Sequence, residues 1–140
     1  MFDRVRWAAT ARLALGDVRS AREFLEKGIP DPARLDPRPN VAQTLALLAR
    51  TRSLESDAEG ANAIATSANQ IIDRARAEGW GEGQLNYARA VVAASTGSSA
   101  QALEHLRAAI AAGWNDVQLA SHDPVLADVV QMTEFQALLE

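Results

Sequence analysis

The chain has 140 residues, of which 48% are hydrophobic and 23% are charged, and its formal net charge is −4. These values are ordinary for a globular chain of one domain. The absence of cysteine excludes disulfides, thiol nucleophiles and cysteine metal sites. No apolar run approaches the roughly 18 residues of a membrane span, and the N-terminus lacks the apolar core of a signal peptide. We therefore expect no direct membrane contact and a cytoplasmic location, with the periplasm as the alternative if the chain is cut from a longer, membrane-anchored protein.

The charge is distributed unevenly. Residues 1–52 carry ten Arg or Lys and six Asp or Glu, whereas residues 53–140 carry four and twelve. A basic N-terminal half favours an anionic partner. The alternative interpretation is that solvated helix faces simply differ in charge.

Good helix formers dominate the chain, and segments containing Gly or Pro interrupt them at regular intervals. The alternation typical of strands is missing, so an all-α fold is predicted. Taken in chain order, the predicted helices lie near residues 2–15, 18–28, 39–55, 57–78, 83–96, 99–112, 115–121, 124–130 and 133–139.

One helix ending occurs twice. The stretch 77-AEGW-80 is repeated 34 residues later as 111-AAGW-114. Gly can take the left-handed conformation just past a helix, and the Trp that follows can fold back on the last turn. We therefore interpret both tryptophans as core residues between repeats, and we expect Ser98 or Ser99 to cap the helix that ends at Gly113.

The first and third hairpins share a second pattern. Each has a helix, a Gly turn, a small residue five positions later (Ala21, Ala102) and a large apolar residue four positions further on (Leu25, Leu106). A small residue at a helix crossing permits close approach, and the large residue fills the groove beside it. Three hairpins with a period near 34 residues predict a helical repeat array.

These residues resemble the tetratricopeptide repeat family, whose units are 34-residue helix–turn–helix hairpins. The first and third units match the family's small, Gly and large apolar positions through Ala9, Gly16, Ala21, Leu25 and Gly28, and through Ala90, Gly97, Ala102, Leu106 and Ala109. The middle unit departs from the pattern, because its helices are longer and no Gly stands at the turn near Asp57. The resemblance implies a right-handed array with units at about 2–36, 39–80 and 83–114.

The segment 122-HDPVLADVVQMTEFQALLE-140 is similar to the closing segment of many bacterial tetratricopeptide regions. Asp123 and Pro124 suit the start of a helix. Phe135, Leu138 and Leu139 are placed to cover the exposed face of the previous hairpin. We therefore expect residues 115–140 to form a helical cap, with the whole chain, 1–140, as a single domain. Such regions often form the C-terminal part of bacterial multidomain proteins, and Met1 opens almost directly into a helix, so we expect the chain to be part of a longer protein.

No constellation predicts an enzyme, a metal site or a cofactor. His105 has Ala109 at i+4 instead of a second ligand, and Ser121-His122-Asp123 are adjacent residues that cannot converge as a catalytic triad. The loop 79-GWGEG-83 lacks the strand and lysine of a phosphate loop. Five arginines of the first hairpin scatter around their helices with a single neighbouring tryptophan, so we expect no nucleic-acid binding.

The resemblance implies a groove lined by the first helix of each hairpin, which holds a peptide or a partner's helix. The family's groove positions correspond to Asp3, Arg6, Thr10, Gln43, Leu47, Arg50, Gln84, Tyr87 and Val91. Arg6 and Arg50 are suited to an acidic group, and Tyr87 to a flat apolar contact. The lysine and asparagine pattern of the chaperone-binding members is absent.

We therefore expect a non-catalytic protein-interaction module, acting as a scaffold, adaptor or regulatory domain for a protein or peptide partner, with an acidic partner favoured. One alternative is a small-molecule sensor with a pocket beside Trp80 and Tyr87. Another is a homodimer formed through the first hairpin, whose Phe2, Val5 and Trp7 would otherwise have little to pack against.

Overall fold

A computed structural model describes residues 2–138 of the protein, except for the side chains of Phe2 and Ala33; Met1, Leu139 and Glu140 lie outside the described part. Every regular element in this part is helical, which confirms the predicted all-α class. The α-helices are α1 (Phe2–Ala14), α2 (Val18–Gly28), α3 (Pro39–Leu54), α4 (Ala58–Ala77), α5 (Glu82–Ser95), α6 (Ser99–Ala111), α7 (Val117–His122), α8 (Ala127–Val130) and α9 (Thr133–Leu138). Two single 3-10 turns, Pro32–Arg34 and Pro124–Leu126, complete the described chain.

Consecutive helices pack as hairpins. Helices α1 and α2, α3 and α4, and α5 and α6 form the three pairs, and α5 also packs on α3 and α4. Helix α3 is the centre of the molecule, because α1, α2, α4, α5 and the turn Pro124–Leu126 all contact it. Within residues 2–138, no helix is both long and apolar enough to cross a membrane.

Five helices end in the same backbone turn. A residue with positive φ follows the helix, and the next N–H donates to a carbonyl five residues back, as from Asp57 to Arg52 at 2.9 Å and from Trp114 to Ala109 at 2.9 Å. Glycine holds the positive-φ position in four of these turns, as the sequence predicts for Gly79 and Gly113. In the middle hairpin Ser56 takes it, with φ of 65°. A hairpin turn therefore forms there without glycine.

The predicted pairs of small and large residues lie in the core. Ala21, Leu25, Ala102 and Leu106 are all buried, which is what close helix crossings require. The predicted serine cap of α6 is wrong, since Ser98 occupies the N-cap position but its side chain makes no capping hydrogen bond.

Helix α3 is buried on all sides over residues 41–49. The sequence of this stretch, VAQTLALLA, has no polar face, which is typical of a helix enclosed by neighbours. Its two polar side chains are hydrogen-bonded: Thr44 Oγ1 donates to the carbonyl of Asn40 at 3.0 Å, and Gln43 Oε1 accepts from Arg6 of α1 at 3.0 Å. The middle hairpin is therefore the scaffold on which the other elements are positioned.

Candidate binding site

The first helices of the three hairpins, α1, α3 and α5, share one side of the molecule, which we call the first-helix face. Three predicted groove residues meet on it with Asp123 from the C-terminal segment. Arg6 Nη2 donates to Gln43 Oε1 at 3.0 Å and lies 3.8 Å from Asp123 Oδ2. The Tyr87 hydroxyl donates to the same carboxylate at 3.2 Å. Part of the predicted groove is thus already engaged by the chain itself.

The segment that supplies Asp123 is the C-terminal strap, residues 117–130, made of α7, the turn Pro124–Leu126 and α8. The turn contacts α1, α3 and α5 together. At the end of the strap, Asp128 Oδ2 lies 3.4 Å from Arg50 Nη2. The strap therefore places one carboxylate near Arg6 and another near Arg50, the two arginines expected to hold an acidic group.

Burial changes the expected set of groove residues. Gln43, Leu47, Tyr87 and Val91 are all buried, so their side chains offer a partner little open surface. The sequence contained a signal of this burial, because α3 has no polar face to line an open groove. Thr10 remains half-buried and Gln84 remains exposed.

The carboxylate of Asp123 is buried among polar groups. Removal from water raises its pKa, and three contacts oppose that rise: the backbone N–H of Val125 at 3.0 Å, Arg6 and the Tyr87 hydroxyl. Burial also raises the pKa of Tyr87, so its hydroxyl stays protonated and donates. The predicted Asp-Pro helix start is confirmed here, because Asp123 accepts a capping bond from Val125 and Pro124 takes the first position.

An open cleft of about 430 Å³ adjoins this network. Trp114 packs against Tyr87 with the rings stacked, their centroids 4.6 Å apart and their planes 11° apart. The rest of the lining comes from the starts of α3 and α5, the end of α4 and the start of the strap: Arg38, Pro39, Asn40, Gln43, Trp80, Gln84, Asp116 and Leu119. Both tryptophans of the repeated ending therefore face one cavity.

The two tryptophans differ in burial. Trp114 is half-buried against the core, and its Cβ lies 3.3 Å from where a Cβ would stand at Gly83. Trp80 is 38% exposed, so its predicted place in the core is wrong. The physical reason is that α5 offers Tyr87 as a stacking partner to Trp114, whereas the sequence of α3 contains no aromatic residue.

A smaller cavity of about 220 Å³ lies on the other side of the strap. Asp3, Arg6, Trp7 and Thr10 of α1 form one wall, and the strap forms the other. Trp7 is 75% exposed, whereas Val5 packs against the core. Phe2, the third residue named for self-association, has no described side chain.

The arginines of the first hairpin are largely engaged within the chain. Arg22 bonds Glu55 and Glu26, Arg19 pairs with Glu23, and Arg12 lies over the ring of Phe24 at 4.3 Å. In the part of the chain that the structure describes, the guanidinium of Arg38 has no hydrogen-bond or ion-pair partner, and Arg38 lies on the wall of the larger cleft.

The larger cleft thus offers flat aromatic surfaces, amide side chains and a guanidinium without a partner. These groups are suited to recognising a polypeptide segment or a small planar molecule. No protein-family model, curated protein or solved structure matches the chain.

Proposed function

We propose that this protein is a non-catalytic interaction module that binds a segment of a partner protein in the 430 Å³ cleft beside the strap. We also propose that its three hairpins form the right-handed array implied by the resemblance to tetratricopeptide repeats. The sequential packing of the hairpins supports this architecture.

The observation that carries the proposal is the strap itself. A chain segment already lies against α1, α3 and α5 as a bound peptide would, with apolar side chains buried and carboxylates directed to arginines. The cleft continues from the strap along the same face, between α3 and α5. A surface that holds one segment of polypeptide has the chemistry to hold a second one next to it.

The open cleft supplies anchors for such a segment. Trp80 is exposed to take an apolar or proline side chain, and Gln84 is exposed to bond a backbone amide. The guanidinium of Arg38 has no partner among the described residues and favours an acidic group in the ligand. The proposed partner segment is therefore short, partly apolar and acidic.

The test is affinity capture from lysate of the source cells with two matched double variants. Trp80→Ala/Arg38→Glu alters the cleft, while Leu54→Ala/Arg107→Glu makes the same kinds of change at exposed sites elsewhere. We expect a protein retained by the wild type and by the control variant to be lost with the cleft variant. Equal capture by all three proteins would contradict the proposal.

A small-molecule sensor is the second candidate, and the cleft volume favours it, since about 430 Å³ lies within the usual ~300–1,000 Å³ of ligand sites. This function predicts a metabolite that raises the melting temperature of the wild type but not that of Trp80→Ala/Arg38→Glu. It also predicts little dependence on salt, whereas recognition of an acidic peptide weakens as salt rises.

A further inference from the structure

We propose that the C-terminal strap is a displaceable internal ligand, and that the first-helix face binds, in its place, a partner segment with the same chemistry. That segment carries an Asp-Pro step, two apolar residues and a second acid five residues after the first, as in Asp123–Asp128. This inference rests on the proposed function, because it describes a second, covered part of the same binding surface.

The strap covers polar side chains of the first-helix face. Arg6 and Tyr87 converge on the carboxylate of Asp123, through a hydrogen bond of 3.2 Å from Tyr87 and an ion pair of 3.8 Å from Arg6. Gln43 Oε1 in turn accepts a hydrogen bond from Arg6. A buried charge with such partners adds little stability compared with a well-packed apolar side chain. It does make the site selective for a carboxylate.

The acidic residues of the strap are complementary to the arginines of the first-helix face. Asp128, five residues after Asp123, reaches Arg50 at 3.4 Å, and its side chain is 71% exposed. Between the two acids, Val125 and Leu126 are buried against the helices. The first-helix face thus binds two carboxylates at a fixed separation, with apolar residues buried between them. A segment that competes with the strap needs the same arrangement of acidic and apolar residues.

The short helices of the strap depend on packing against neighbouring elements, which are α6 and α9 as well as the first-helix face. Helix α7 has six residues and α8 has four, well below the roughly 12–15 residues that a helix needs for stability on its own. The elements beneath the strap are longer and bury more of their length; α3, for example, has sixteen residues. Opening of the strap is therefore expected before unfolding of the three hairpins.

The experiment measures binding of a fluorescent synthetic peptide with the sequence of residues 120–131, ASHDPVLADVVQ, to the full chain. The strap is loosened by Val125→Ala/Asp128→Arg, which removes buried methyl groups and reverses the charge that faces Arg50. The control is Ile72→Val, which trims a buried side chain of α4, a helix that packs mainly on α3 and α5. Anisotropy gives the affinity of each protein.

We expect the loosened chain to bind the peptide at least about tenfold more tightly than the wild type, because a larger fraction of molecules has an open site. The control is expected to bind like the wild type. Arg50→Glu in the loosened chain, or Asn in place of both acids of the peptide, is expected to weaken binding about tenfold. Equal affinity of the loosened and wild-type chains would overturn the inference. An affinity that stays the same when both acids of the peptide are replaced by Asn would also overturn it.

A second measurement covers the case in which the loosened chain does not fold. In the wild type, hydrogen exchange of the strap amides is expected to be at least about tenfold faster than that of residues 41–49 of α3. Strap amides that exchange only with global unfolding would refute displacement. A loosened chain that dimerises without binding free peptide would also refute it, since the occupant would then be a second copy.

The outcomes separate this inference from the proposed function. If the peptide does not bind but capture still depends on Trp80 and Arg38, only the displaceable strap is wrong. If the peptide binds as expected but the Trp80→Ala/Arg38→Glu variant captures the same proteins as the wild type, the cleft is not the partner site.

Discussion

Ser56 has an unusual backbone conformation, with φ of 65° at the turn between α3 and α4. The left-handed conformation costs an L-residue about 1–2 kcal/mol, and glycine avoids this cost while losing more chain entropy on folding. We therefore expect Ser56→Gly to raise the free energy of unfolding by roughly 0.5–1 kcal/mol, measured by urea denaturation. The matched control is Ser67→Gly in the interior of α4, which should lower that free energy by about 0.5 kcal/mol. A destabilised Ser56→Gly protein would contradict the turn geometry.

The buried carboxylate of Asp123 is expected to make the stability of the protein depend on pH. Burial raises its pKa in the folded protein above the ordinary 3.8. The folded protein therefore binds this proton more tightly than the unfolded chain does. The resulting contribution to stability is fully present below the pKa of Asp123 in the unfolded chain, and it is lost as pH rises through the pKa of Asp123 in the folded protein.

The measurement is the free energy of unfolding of the wild type minus that of Asp123→Asn, which cannot ionise but keeps an acceptor for Val125 and Tyr87. We expect this difference to fall as pH rises from about 4 through the folded pKa. Taking the difference removes the effects of the other carboxylates. A difference that rises with pH would show that Arg6 and Tyr87 outweigh desolvation.

At the scale of elements, two helix endings with the same Gly-Trp sequence have different roles. Trp114 stacks on Tyr87, whereas Trp80 projects into the cleft and is 38% exposed. We expect Trp114→Ala to lower the free energy of unfolding by about 2–4 kcal/mol and Trp80→Ala by less than about 1 kcal/mol. Chemical denaturation of both variants measures this, and equal losses would mean that the cleft is closed in solution.

The elements themselves were largely predictable from the sequence. Glycine turns and apolar spacing located the α-helices to within a few residues, because those signals act over one or two helical turns. The turn Pro32–Arg34 was missed, since three residues carry no periodicity. The burial of Leu47 and Val91 was also missed, because it depends on how α3 and α5 pack against the other helices of the assembled chain.

At the scale of the whole molecule, the strap determines which part of the first-helix face is open. The tail was expected to cover the last hairpin, and α8 and α9 do contact α6, with Phe135 buried. The additional contacts of the turn Pro124–Leu126 with α1, α3 and α5 were not predicted. No local pattern specifies which of two apolar surfaces a short segment covers, because that choice depends on the summed packing of the assembled hairpins.

The position of the strap on the first-helix face also determines where the candidate binding site lies. The sequence predicted the chemistry of Arg6 and Arg50 as receptors for acidic groups, and the structure places Asp123 and Asp128 of the strap beside them. Gln84 was expected in the groove and Trp80 beside a pocket, and both line the open cleft. Arg38 was not expected there, because the cavity is formed jointly by α3, α4, α5 and the strap.

The most direct test of partner binding in this cleft is site-specific photo-crosslinking in lysate of the source cells. A photoreactive residue replaces exposed Gln84 in the cleft or, as a control, exposed Glu104 on α6. We predict one partner protein crosslinked from position 84, lost when Trp80→Ala is added, and no such product from position 104. The same products from both positions, or products from position 84 that persist with Trp80→Ala, would contradict the proposed site.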